Sequence, residues 1–112
     1  MELAQLAVFV RPPKSGTVKT RLAARFGPDG AAKLYRAFAE DTVALCSRVR
    51  AAGRVHLAVR SAGCDEVVSD WAERLGTSPR MQPEGDLGVR LAAAFDQGLS
   101  DYERVVVIGS DM

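Results

Sequence analysis

Apolar residues fall along this chain in short dense runs that alternate with longer stretches at three- and four-residue spacing. Leu3 to Val10 is apolar apart from Gln5 and has the length of a strand, which predicts a central strand buried on both faces. From Asp29 to Ala52 the period changes. Ala31, Tyr35, Phe38, Thr42, Leu45 and Val49 recur at steps of four and three, with Leu34 and Cys46 flanking, which predicts a helix packed along that stripe. Pro28 and Asp29 suit its start and Gly53 its end. Val55 to Val59 reads as a second strand. Asp65 to Leu75 reads as a helix carrying Val67, Val68, Trp71, Ala72 and Leu75, closed by Gly76. Pro79 to Gln82 fits a short edge strand, where a missing N–H is tolerated. Asp86 to Leu99 predicts a third helix, with Asp86 as N-cap and Leu87, Leu91, Ala94 and Phe95 inward. Arg104 to Ile108 is a final strand.

Strand–helix alternation of this kind predicts an α/β fold, a Rossmann-like parallel sheet with flanking helices. Such sheets bind ligands at the carboxyl ends of their strands. Attention therefore falls on the loops after Val10 and Ile108. The second is Gly109-Ser110-Asp111, with one residue left in the sequence. That position, on the functional edge of a central strand, leads to the expectation of a fragment of a larger fold, or of a protein that leaves its sheet unusually bare.

Composition narrows the function classes. The 112 residues make one domain, 47% hydrophobic and 26% charged, as in an ordinary globular protein. A net charge of +1 argues against general nucleic-acid or membrane-surface binding. No apolar run spans a bilayer, and Met1 to Gln5 lacks a basic signal-peptide start, so a cytoplasmic protein is expected. Cys46 and Cys64 have no metal-type spacing and read as reduced thiols. His56 reads as a packed or edge residue of its strand, Trp71 and Tyr35 as core, and Glu40 and Asp41 as the polar side of the long helix.

Against this balance, the stretch Val10 to Pro28 holds Arg11, Lys14, Lys19, Arg21 and Arg25 and no acid. It leads through Gly16 and Thr17 into a short helix-like segment, Val18 to Phe26. Glycine lets backbone N–H groups approach an anion, a helix start favours negative charge, and Lys and Arg add full charges matched to phosphate oxygens. The stretch is not a P-loop: Pro13 and Val18 stand where G-x-x-x-x-G-K-[ST] needs its glycines. A solvated basic turn is the plainer alternative, but five bases without an acid at a strand's end exceed what a turn needs, and phosphate binding is the expectation.

The sequence "LAVFVRPPKSGTVKTRLA", followed by "GPDGAAKLYRAFAEDT", "QPEGDLGVRLAAAF" and "VVVIGSDM", resembles glycosyltransferase-like proteins known as radical-SAM/selenodomain-associated or arsenosugar-biosynthesis transferases. These are similar to molybdenum-cofactor and phospholactate guanylyltransferases and share the GT-A, nucleotide-diphospho-sugar transferase fold. The resemblance implies a transferase of glycosyl or nucleotidyl groups that binds a nucleoside di- or triphosphate, or a nucleotide-sugar, with Mg²⁺ or Mn²⁺. It implies that Arg11, Lys14 and Gly16 belong to the loop around the phosphates, and that Lys19 and Arg21 form the basic pair beyond it, neutralising charge on the leaving phosphate. It implies that Gln82, Gly85 and Asp86 lie against the base, and that Asp111 holds the metal. Ser110 and Met112 depart from the usual Thr-Asp-Cys-Pro pattern. The family chain is longer, so residues 1–112 are expected to be the N-terminal donor half without the acceptor half. The alternative is a non-catalytic nucleotide- or anion-binding module, or a partner-binding fragment. The nucleobase, sugar, acceptor and oligomeric state stay open.

Overall fold

A computed structural model describes residues 4–16, 20–53 and 55–109. The first strand, β1 (Ala4–Val10), lies in the middle of a four-stranded sheet, with Ala7 and Val8 fully buried. The chain continues through α1 (Thr20–Ala51), β2 (Val55–Ser61), α2 (Glu66–Arg74), β3 (Pro79–Met81), α3 (Leu87–Asp101) and β4 (Arg104–Gly109). All neighbouring strands are parallel, in the order β3-β2-β1-β4. The fold is α/β, as the alternation predicts. β3 is an edge strand, which accommodates Pro79.

The connections explain the layering. From β1 to β2 to β3 the chain steps outward in one direction, so right-handed crossovers put α1 and α2 on the same face. α3 returns across the sheet to β4 on the far side of β1 and lies on the opposite face. Val8, Val10, Leu57 and Val59 face the first layer, where they pack with Tyr35, Ala39 and Val43 of α1 and Val68, Trp71 and Ala72 of α2. Trp71 is fully buried, and its indole N–H donates to Glu40 Oε2 at 2.7 Å. Arg74 lies 3.6 Å from the same carboxylate. Glu40 thus marks the flank of α1 turned toward α2.

α1 is two helical segments joined at Gly27, whose backbone (φ 78°, ψ 162°) is not helical. Pro28 follows at the first position of the second segment, where its missing N–H is harmless. The break falls between the two helical stretches that the sequence predicts.

Two of the predicted helix faces are rotated in the structure. On α1 the buried positions are Ala31, Ala32, Tyr35, Ala39, Val43 and Cys46, while Phe38, Leu45 and Val49 of the expected stripe are exposed. On α3 the buried positions are Ala94 and Gly98, while Leu87 and Phe95 of the expected stripe are exposed. The reason is close packing. Small side chains let a helix axis approach its neighbours, so the helices turn their Ala and Gly toward the sheet and leave larger apolar residues at the flanks.

His56 stacks on Tyr102, with ring centroids 5.4 Å apart and planes at 16°. This is a packing role, as expected. No helix among the described residues is long and apolar enough to cross a membrane. Cys46 is buried and Cys64 exposed, both as free thiols.

Candidate functional site

Strand order reverses between β1 and β4: the chain leaves β1 toward β2 on one side and reaches β4 on the other. α1 and α3 lie on opposite faces of the sheet, and the carboxyl ends of β1 and β4 meet between them, the usual ligand position in open α/β sheets. The structure has a cleft of about 500 Å³ at this point. β1 contributes Phe9 and Val10, with Arg11 directly beyond, and β4 contributes Val107 and Gly109. The loop from β3 to α3 contributes Gln82, Gly85 and Asp86, and the first turns of α3 contribute Leu87, Arg90 and Leu91. Tyr35 enters from α1.

Local chemistry fixes these positions. The Gln82 N–H donates to the carbonyl of Ser61 at 2.8 Å, so the loop after β3 is pinned to the end of β2. Gly85 adopts φ 134°, a backbone that L side chains rarely take, and a Cβ there would stand 3.0 Å from Val89 Cβ. Asp86 is the N-cap of α3, as the sequence predicts, and its Oδ1 accepts from the Val89 N–H at 3.0 Å. Its carboxylate thus caps a helix and borders the cleft at once. The Arg11 N–H donates to the Tyr35 hydroxyl at 3.0 Å.

A second cleft of about 220 Å³ adjoins the first. Arg11 and Arg90 line both, and Pro12, Lys14, Ala62 and Gly63 complete the smaller one. Gly63 packs close to Pro12: a Cβ on it would lie 3.3 Å from Pro12 Cγ. Arg11, Lys14 and Arg90 therefore bring three cationic side chains to one seam between the β1 loop, the β2–α2 loop and α3.

Among the residues that the sequence picks out, Arg11, Gln82, Gly85 and Asp86 meet in the larger cleft, and Lys14 lies in the smaller one. Gly16 is exposed in the turn beyond, lining neither. Lys19 and Asp111, with Thr17 and Ser110, lie outside the described residues. Arg21 is a position in the first turn of α1. Sequence reasoning missed Arg90 and treated Tyr35 only as core. Tyr35 is 1% exposed and belongs to the core, but its hydroxyl also serves the cleft.

Under α3 lies a further cation. Arg60 is 3% exposed and donates through Nη1 to Gln97 Oε1 at 2.6 Å. It sits opposite Arg80 in the strand register. Burial first, and then the charge of Arg80, push its guanidinium below the usual arginine value. Among the described residues no group of three or more His, Cys, Asp or Glu side chains is placed to hold a metal ion. The described donor set around the clefts is cationic and suits an anion better than a bare cation.

Comparison with known proteins agrees with this architecture. A protein from Desulfovibrio desulfuricans G20, described as "putative nucleotide-diphospho-sugar transferase", has a crystal structure that superposes with a TM-score of 0.82 at 32% sequence identity. The match covers 100% of this chain and 48% of that one, so the chain spans about half the length of its neighbour. The parallel sheet and flanking helices are thus those of a nucleotide-sugar-transferase-like fold. No curated protein matches the sequence. Residues 42–112 match the family described as "Uncharacterized protein conserved in bacteria (DUF2064)", a stretch that runs from the middle of α1 through the cleft-forming loop and α3 to β4. The chain belongs to the DUF2064 family.

Proposed function

We propose that residues 1–112 are the donor half of a cytoplasmic glycosyl- or nucleotidyltransferase of the selenodomain-associated type, binding a nucleoside diphosphate, a triphosphate or a nucleotide-sugar. The observation that carries this reading is the position of the larger cleft at the strand-order reversal, with Arg11 on one wall and Gln82, Gly85 and Asp86 on the other. In this reading Arg11, Lys14 and Gly16 receive the phosphates, and Gln82, Gly85 and Asp86 border the base. Lys19 and Arg21 neutralise charge on the leaving phosphate, which positioning and electrostatics can serve without a covalent nucleophile. Asp111, two residues beyond Gly109 at the cleft, is the proposed ligand for Mg²⁺ or Mn²⁺. The described residues do not form a metal site by themselves, so the phosphates must supply further ligands. The acceptor site belongs, on this proposal, to the part of such proteins beyond the shared half.

A second reading is a non-catalytic anion-binding module, favoured by the cationic lining of the smaller cleft. Calorimetric titration with nucleoside diphosphates, with and without Mg²⁺, separates the two. Metal-dependent binding that prefers a nucleoside diphosphate over pyrophosphate is expected. Binding of any polyanion alike, indifferent to the metal, would sink the transferase reading.

A further inference from the structure

We propose that Arg90 binds the diphosphate group of the ligand, clamping it against Arg11 and Lys14 at the seam between the two clefts; this deepens the nucleotide reading above and rests on it for the nucleoside part only. Arg90 stands on the first turn of α3, where its backbone N–H donates to the Asp86 carbonyl at 3.2 Å. Its side chain is half-buried, and its Nε is buried without a hydrogen-bond partner. A guanidinium brings five donors in a rigid fork, and leaving one of them dry and unpaired opposes folding. A helix that needed only bulk or hydrophobic cover at this position would be served better by an uncharged side chain. The unused donor marks a place prepared for an acceptor that arrives with a ligand.

The surroundings define the chemistry of that acceptor. Among the described residues the smaller cleft is lined by Arg11, Lys14 and Arg90 with Pro12, Ala62 and Gly63, and none of these carries a carboxylate. Three cations around about 220 Å³ suit a compact group with several negative oxygens. The larger cleft holds Gln82, Asp86 and apolar residues, which suit an uncharged, planar or hydroxylated portion. Arg11 and Arg90 line both clefts, so a ligand lying across the seam places its charge between them. A diphosphate satisfies this arrangement whether it comes free, within a nucleoside diphosphate or within a nucleotide-sugar.

The test uses the purified chain and its Arg90→Gln and Arg90→Lys variants, titrated with inorganic pyrophosphate, a nucleoside monophosphate and a nucleoside diphosphate. We expect Arg90→Gln to weaken pyrophosphate and nucleoside diphosphate by about 10- to 100-fold, the range for a charge-assisted contact. The monophosphate should lose much less, and Arg90→Lys should recover part of the loss. Without ligand, Arg90→Gln should melt no lower than the parent chain. Pyrophosphate affinity equal in parent and Arg90→Gln overturns the inference. Should the variants fail to fold, phenylglyoxal modification of the parent chain decides: Arg90 shielded by pyrophosphate supports the clamp, and Arg90 labelled equally with and without it refutes it. Pyrophosphate held through Arg90, with no preference for a nucleoside diphosphate, would keep this inference and remove the nucleotide reading. Nucleotide binding indifferent to Arg90 would do the reverse.

Discussion

The backbone N–H of Arg11 donates to the Tyr35 hydroxyl across 3.0 Å, joining the first residue beyond β1 to a side chain only 1% exposed on α1. The two are 24 residues apart. A buried aromatic ring thus holds the start of the basic loop at the cleft. Tyr35→Phe keeps the ring and removes the acceptor. It should lower unfolding free energy by about 1 kcal/mol in urea titrations, the net value of one such bond. It should also weaken pyrophosphate binding severalfold, because Arg11 loses its tether. Unchanged stability would show that the Arg11 N–H finds an equivalent partner without the phenol.

Asp86 has two roles that substitution can separate. Its Oδ1 accepts from the Val89 N–H, and its carboxylate borders the cleft. Asparagine caps nearly as well as aspartate, whereas alanine cannot cap. Asp86→Ala should therefore cost about 1 kcal/mol in thermal unfolding, and Asp86→Asn only a few tenths. If the carboxylate also meets the nucleoside, Asp86→Asn will weaken nucleotide binding and spare pyrophosphate. Equal nucleotide affinity in Asp86→Asn and the parent chain would leave Asp86 as a cap alone.

The strand positions and the cap of α3 were legible in the sequence because each rests on a local rule: β-length apolar runs, proline at an edge, aspartate before a helical period. Arg11 was legible for a related reason, since a parallel strand delivers the residues after it to the ligand edge of the sheet, whereas Gln82, Gly85 and Asp86 stood out as site residues only through the family resemblance of "QPEGDLGVRLAAAF". Helix rotation was not legible. α1 carries apolar residues around much of its circumference, and the large ones, Phe38 and Leu45, outweigh Ala32 and Ala39 on any hydrophobicity count. Packing reverses that order, because the sheet is approached most closely by the smallest side chains. Arg90 escaped notice for another reason. A single arginine on a helix has no spacing signal, and its place in the cleft lining depends on loops distant in sequence.

The two cysteines should differ in reactivity. Cys64 is exposed, while burial holds the Cys46 thiol above its ordinary pKa. Only a thiolate attacks an aromatic disulfide reagent, so the folded chain should react rapidly at one thiol and the denatured chain at two. For stability the sign is fixed. Cys46 adds no pH dependence below the pKa of the unfolded thiol. Above it the unfolded chain alone releases the proton, so stability falls as the solution becomes more alkaline. Cys46→Ser should remove that alkaline slope, at the cost of packing. Rapid reaction of both thiols in the folded chain would mean that α1 opens far more readily than its burial implies.

Gly98 sets how closely α3 lies on the sheet, and through α3 it sets the cleft. A Cβ at this position would fall 2.6 Å from Val105 Cγ2 and 2.8 Å from Gln5 Oε1. Two effects oppose each other in Gly98→Ala. Alanine favours a helix interior over glycine by about 0.8–1.0 kcal/mol. Overpacking a close contact costs about 1–3 kcal/mol. Val105 is a β-branched strand residue with a stiff side chain, and Gln5 is 8% exposed, so neither neighbour can move aside freely. The clash should win, and Gly98→Ala should lower the melting temperature instead of raising it. To relieve the contact, α3 must lift from β1 and β4, carrying Asp86 and Arg90 with it. Pyrophosphate affinity should therefore fall together with stability, although Gly98 lines neither cleft. A rise in melting temperature would show that the helix gains more from alanine than the contact loses. Lower stability with unchanged pyrophosphate affinity would instead show that the start of α3 is positioned independently of its C-terminal half.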